Sequence, residues 1–269
     1  MEIAGYTAAI LIGVSLGLIG GGGSALAVPV LVYLFHIPAQ KAVPESLFIV
    51  GIASFTGALS YMYKRLVCVK SMLVFGLPSI VTVFFTRTRL SPAIPEHLQF
   101  TDTLSVSKDV FLLLIFAILM LAASFSMIRP MNLTEPEAGK NTDKGYPYIQ
   151  IMLGGCCVGF LAGLVGAGGG FLIIPALVVL AKLPMKRAIG TSLMIIAINS
   201  SIGFISDIRN PEPVHWPFLI LFSSLSIIGI FAGMYLSNFV SGPRLKPAFG
   251  WFILAIGAFI ISQQLFLGH

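Results

Sequence analysis

Two glycine clusters carry the chemistry most available to this chain. Gly20, Gly21, Gly22 and Gly23 precede Ser24, and Gly166, Ala167, Gly168 and Gly169 precede Gly170. Lacking a Cβ, such a run adopts positive φ cheaply and lets another group come close to its N–H donors. A helix starting directly after each run, near Ser24 and near Gly170, presents partial positive charge and several unpaired N–H groups. Two such ends facing each other near the middle of a membrane would hold an anion without any buried Lys or Arg. Neither cluster is followed by Lys and neither follows a strand pattern, so a nucleotide phosphate loop and a dinucleotide fingerprint are both unsupported.

A second polar element follows each cluster. In the first half it runs Pro38, Lys41, Ala42, Val43, Pro44, Glu45, Ser46; in the second, Pro184, Arg187, Ala188, Ile189, Gly190, Thr191, Ser192. Ser46, Thr191 and Ser192 begin otherwise apolar helices, where they either cap the helix start or line a pathway. Glu45 stands where the second copy has Thr191. It is a candidate proton carrier if it faces a pathway, and an inexpensive interfacial residue if it does not. Asn199 lies well inside an apolar segment, where an amide needs either another helix or a substrate to bond. Arg87 and Arg89 close the third apolar segment, as interfacial anchors or as attractors of an anion to the mouth. The three cysteines form no CxxC pair, no HExxH metal pair occurs, and the Gly-x-Ser-x-Gly elbow around Ser24 is incomplete because Leu26 follows Ala25. No cofactor or metal is called for.

The elements that must position these residues are membrane helices. The chain of 269 residues is 57% hydrophobic and 10% charged, with a mean hydropathy of +0.98. That leaves too little polar surface for a water-soluble domain. Apolar runs near 43–62, 71–86, 110–128, 188–205, 216–240 and 247–266 are long enough to span a bilayer. Segments 5–35 and 148–181 are too long for one ordinary span and are broken by glycine near their middles. Alternating strands of a membrane barrel are missing from the pattern. The sixteen basic residues are scattered over loops rather than massed on a stripe, which argues for topology charges and against nucleic acid.

Residues 13–60 slid onto residues 159–206 match at twenty of forty-eight positions without a gap. Matches among Leu and Ile are uninformative in so apolar a chain. Registered Gly17/Gly163, Pro29/Pro175, Pro38/Pro184, Ser46/Ser192, Ser54/Ser200 and Gly57/Gly203 mark an internal repeat at an offset of 146 residues. The expected organisation is a first repeat over 1–130, a cytoplasmic linker over 131–147 and a second repeat over 148–269. Each repeat is expected to be a glycine-broken helical hairpin followed by three transmembrane helices. The spaced pairs Gly13/Gly17, Gly159/Gly163 and Gly229/Gly233 read as close helix packing.

Loop charges discriminate between two topologies. If each broken segment crosses the membrane once, the Lys and Arg residues divide nine against seven. If each is a re-entrant hairpin, they divide eleven against five, with Lys64, Arg65, Lys70, Arg129, Lys140, Lys144, Lys182, Lys186, Arg187, Arg244 and Lys246 on one side. The second split has the asymmetry of a cytoplasmic face. It predicts inverted repeats in a cell membrane, both termini extracytoplasmic, and Arg87 and Arg89 at the outer face.

The paired motifs resemble the sulfite exporter TauE/SafE family of membrane transporters. The residues that carry the resemblance are Gly159, Gly163, Leu164, Gly166, Ala167, Gly168, Gly169 and Gly170 with Pro175, followed by Ala188, Ile189, Gly190, Thr191 and Ser192. The first-half copy is Gly17 to Gly23 with Pro29, and it departs from the pattern at Val43, Pro44, Glu45 and Ser46. The resemblance implies secondary transport, often outward, of sulfur-containing anions such as sulfite or organosulfonates. The partners expected are a small anion, the lipid bilayer and, as a further candidate, a second copy of the chain. An anion channel using the same tips as a filter is the alternative, and an enzyme has no support in these motifs.

Overall fold

The computed structural model describes residues 2–90, 93, 97–101, 104–128, 148–165, 169–207, 215–240 and 242–267. Ten α-helices make up nearly all of it. The first half holds α1 (Glu2–Ile19), α2 (Gly22–Tyr33), α3 (Ala39–Tyr63), α4 (Val69–Phe85) and α5 (Lys108–Ile128). The second holds α6 (Tyr148–Val165), α7 (Gly170–Val179), α8 (Met185–Asp207), α9 (Trp216–Ser237) and α10 (Gly242–Leu267). Seven of these helices are long and apolar enough to cross a membrane, while the α1, α2 and α7 regions contribute shorter apolar helices. Large side chains such as Leu11, Phe55, Val81, Ile118, Phe231 and Trp251 stay exposed. Lipid can cover such a surface and water covers it poorly.

Glycine breaks the first and fifth apolar segments where the sequence places the breaks. Gly20 has φ +83° between α1 and α2, and Gly169 has φ +67° ahead of α7. After each break the chain turns back along itself. Gly5 lies against Phe35, and Gly23 lies against Ile12 and Leu16, so α2 runs antiparallel to α1. Gly154 lies against Leu180, and Gly169 against Ala162 and Val158, so α7 returns along α6 in the same way. The arms are unequal. The 18 residues of α1 and of α6 rise about 27 Å, more than the segment 5–19 alone suggests, and the 12 and 10 residues of α2 and α7 rise only about 18 and 15 Å. The two short arms also end alike. His36 and Lys182 take left-handed backbone angles, and the N–H groups of Ile37 and Leu183 donate to the carbonyls of Leu31 and Leu177 at 3.1 and 3.3 Å.

Packing joins the halves. Helix α1 lies along α9 in the same direction, with Gly13 on Ser226 and Ile230 and Gly17 on Ile230 and Met234. Helix α6 lies along α4 in the same way, with Gly155 on Phe75, Gly159 on Ser79 and Gly163 on Val83 and Thr86. By contrast α3 and α8 pack antiparallel: Leu47 meets Gly203, Gly51 meets Ser200, and Tyr61 meets Gly190. Helices α5 and α10 are antiparallel as well, with Ile128 at Gly250 and Met120 at Gly257. The glycines of α1, α4-facing α6 and α9 bring backbone onto backbone, the packing anticipated for the spaced pairs.

Between α4 and α5 the chain is not a plain connection. Helix α4 continues as a π-helical turn over Thr86–Leu90. Beyond it, His97–Thr101 (β1) and Leu104–Ser107 (β2) pair as an antiparallel hairpin, the sole strands among the described residues. The linker 131–147 lies outside the described residues.

Candidate functional site

The tips of the two hairpins meet. A Cβ placed on Gly21 would overlap the carbonyl of Gly170, and one on Gly170 would lie 2.5 Å from Ser24 Oγ. Gly21 is the N-cap residue of α2 and Gly169 that of α7, so two helix N-termini from different halves face each other. Gly20, Gly21, Gly22, Gly23 and Ser24 are all buried, as are Gly169 and Gly170. The other two members of the predicted second tip, Gly166 and Gly168, lie outside the described residues. First-turn N–H groups have no acceptor within their own helix, and the aligned dipoles make each end partially positive. Neither helix has an acidic residue in its first turn to neutralise it. Two such ends in a buried setting attract an anion.

Of the predicted supplementing side chains, Ser192 is the one seated against a tip: a Cβ on Gly20 would lie 3.1 Å from its Oγ. Its hydroxyl donates to the Ile189 carbonyl at 2.8 Å, as Ser24 donates to Gly21 at 2.7 Å and Ser46 to Val43 at 2.7 Å. These three buried hydroxyls reach an anion only after rotating away from those carbonyls. The helices start earlier than the sequence suggests: α3 begins at Ala39 and α8 at Met185, so Ser46, Thr191 and Ser192 lie inside them and cap neither start. Thr191 does more structural work. Its Oγ1 donates to the Arg187 carbonyl at 2.7 Å and accepts the Cys68 N–H at 2.9 Å, tying the start of α4 to α8. Asn199 bonds across helices, its Nδ2 donating to Ser79 Oγ at 2.9 Å, while its buried Oδ1 is unpartnered.

Glu45 is 7% exposed, with Oε2 unpartnered. It faces a cleft of about 380 Å³ lined also by Phe35, Ile37, His215, Pro217 and Phe218, away from the tips. Arg87 is buried and its guanidinium donates to Asp207, whereas Arg89 is exposed. Sequence reasoning did not find Asp207, Ser79 or the hydroxyls of Ser54 and Ser200, which are buried without a partner. For the last two a signal existed, since Ser54 and Ser200 occupy the same position of the two repeats.

Helices of this length and apolarity, with two broken hairpins meeting at a buried polar centre, define a polytopic helical membrane protein built for transport. The chain belongs to the sulfite exporter TauE/SafE family, whose sequence model matches residues 6–262. It is 28% identical to a "Probable membrane transporter protein" of Xylella fastidiosa (strain Temecula1), over 94% of this chain and 92% of the relative. It is 31% identical to the "Probable membrane transporter protein YunE" of Bacillus subtilis, over 74% of this chain and 75% of that one. A third relative, the "Probable membrane transporter protein MJ0441" of Methanocaldococcus jannaschii, is 31% identical over 73% of this chain and 70% of its own. No solved structure matches the chain.

Proposed function

We propose that this protein is a secondary transporter that exports small sulfur-containing anions such as sulfite or organosulfonates by alternating access between two inverted repeats. The observation that carries the proposal is the meeting of two helix N-termini, one from each half, at Gly21, Ser24 and Gly170. In this reading Gly20–Ser24 and Gly166–Gly170 hold the anion's oxygens with backbone N–H groups. Ser192, Ser46, Asn199 and, when released from Arg187 and Cys68, Thr191 supplement them.

Helix direction supports the inversion. At the offset of 146 residues α3 corresponds to α8, and these two helices pack antiparallel. A parallel repeat would make them run the same way. The matching turns at His36 and Lys182 and the matching packing of α1 on α9 and α6 on α4 support the same reading. The hairpins are then re-entrant, entering and leaving the membrane on one side. Both termini and Arg89 are extracytoplasmic, and Arg89 draws anions to the outer mouth. Outward movement of a monoanion from a negative-inside cell is downhill by about 2.3 kcal/mol per 100 mV, so export needs no coupling ion. Glu45 is the candidate carrier of a proton where charge must be balanced.

The test is counterflow of radiolabelled sulfite in liposomes, competed with sulfate, thiosulfate, taurine, sulfoacetate and chloride. Saturable exchange inhibited by a subset of the sulfur oxyanions is expected. Anion current without counterflow would replace the carrier with a channel filtered by the same tips.

A further inference from the structure

Two charged residues are buried among the described residues, Glu45 at 7% exposure and Arg87 at 8%. Both lie at the same end, where Gly203 of α8 meets Leu47 of α3 and, at 3.4 Å from a Cβ placed on it, Arg87 Nε. The Arg87 guanidinium is engaged by Asp207, the last residue of α8, so the ion pair joins the first half to the second. Arg87 belongs to the widened turn Thr86–Leu90, and the adjoining Thr86 Oγ1 is buried without a partner. At the offset of 146 residues Arg87 corresponds to Gly233 and Asp207 to Tyr61. The opposite end is therefore fastened by neutral groups: Tyr61 OH donates to the Gly17 carbonyl at 3.2 Å and lies 3.3 Å from Ser237 Oγ.

An ionic fastening and a neutral one respond differently to an anion. Parting α4 from α8 at the ionic end leaves Arg87 as an uncompensated buried charge, which is strongly unfavourable. The cost disappears if another anion occupies the guanidinium first. A planar fork of N–H donors suits two oxygens of one sulfite or sulfonate group as well as it suits a carboxylate. We infer that Arg87 is an oxyanion-binding residue of the transport cycle, and that Asp207 is its built-in competitor. The extracytoplasmic end opens when the substrate takes Arg87 from Asp207, and shuts when Asp207 takes it back. This inference rests on the carrier reading given above.

The test is the KM for anion on the extracytoplasmic face, measured by sulfite exchange in liposomes. Removing the competitor in Asp207→Asn lowers that KM by about tenfold, and removing the cation in Arg87→Gln raises it by a similar factor. Arg87→Lys keeps the charge but not the fork, so it raises KM several-fold while the thermal midpoint of the purified protein holds. Opposite shifts in the two neutralised variants establish the competition. Loss in the same direction in both, with wild-type KM in Arg87→Lys and in the exchanged pair Arg87→Asp/Asp207→Arg, would reduce the pair to a structural tie and overturn the inference while the carrier reading stands. Absence of saturable exchange in the wild type would remove the carrier reading itself, and the inference with it. If Asp207→Asn does not reach the membrane, Arg87→Lys alone decides, because an unchanged KM there contradicts an oxyanion held by the fork.

Discussion

Replacing Gly20 with Ala tests the tips at the cost of one methyl group. The backbone there has φ +83°, a conformation that costs an L residue about 1–2 kcal/mol. The new Cβ would lie 2.8 Å from Ile189 Cγ2, 3.0 Å from Ile189 Cα and 3.1 Å from Ser192 Oγ, in a region where both residues are wholly buried. Crowding of that kind adds about 1–3 kcal/mol. Together the two effects disfavour the observed tip by about 2–5 kcal/mol, and the lower bound alone is an about 30-fold loss of the competent arrangement. The strain falls on the tip and spares the long spans, so insertion and yield should stay near wild type while sulfite exchange drops by at least that factor. Gly76→Ala is the control. A Cβ there meets only Ile195 Cγ1, at an ordinary 3.4 Å, and Ala is the better helix former. Wild-type exchange by Gly20→Ala at equal insertion would remove the first tip from the site. Equal losses in both variants would show that the assay reports general stability.

Three further outcomes are expected. With Cys68, Cys156 and Cys157 replaced, single cysteines at Thr142 and Gln99 should label from opposite sides of the membrane; labelling of both from outside would exclude the inverted topology. Tyr61→Phe removes the hydroxyl that ties α3 to α1 and α9, and should lower the thermal midpoint through a loss of about 1 kcal/mol. An unchanged midpoint would mean that this tie contributes nothing. Glu45→Gln keeps the shape of the side chain but cannot ferry a proton, so any response of wild-type flux to a pH gradient should vanish in the variant; a surviving response would take Glu45 out of coupling.

The spans were readable because uninterrupted apolar runs have few other destinies. The run near 43–62 became Ala39–Tyr63 and that near 71–86 became Val69–Phe85 before its π-helical turn. The glycine breaks were readable too, since contiguous glycines are poor helix formers. Partners across the fold were not. A helix such as α1 or α6 is apolar all round, so periodicity does not tell which face is buried and which meets lipid. Only the glycine stripes announced their faces. Thr191 illustrates the limit: its place in the repeat was plain, but it lies inside α8 rather than at its start, and its bond to the Cys68 N–H spans 123 residues with no local signature. Asp207 escaped notice for the same reason, as a lone acid at a segment end whose partner is 120 residues away.

The glycine contacts of α1 with α9, and of α6 with α4, separate the parts that move from the parts that are sequential. Each long hairpin arm lies backbone-on-backbone against a helix of the opposite half. The stripe's glycines are seated by the opposite half, so a severed half-chain would present a bare glycine stripe with nothing to seat it. In motion, α1 should travel as luggage of the second half and α6 as luggage of the first. The boundary along which the molecule flexes is then not the linker that divides the sequence, but a seam that crosses both halves.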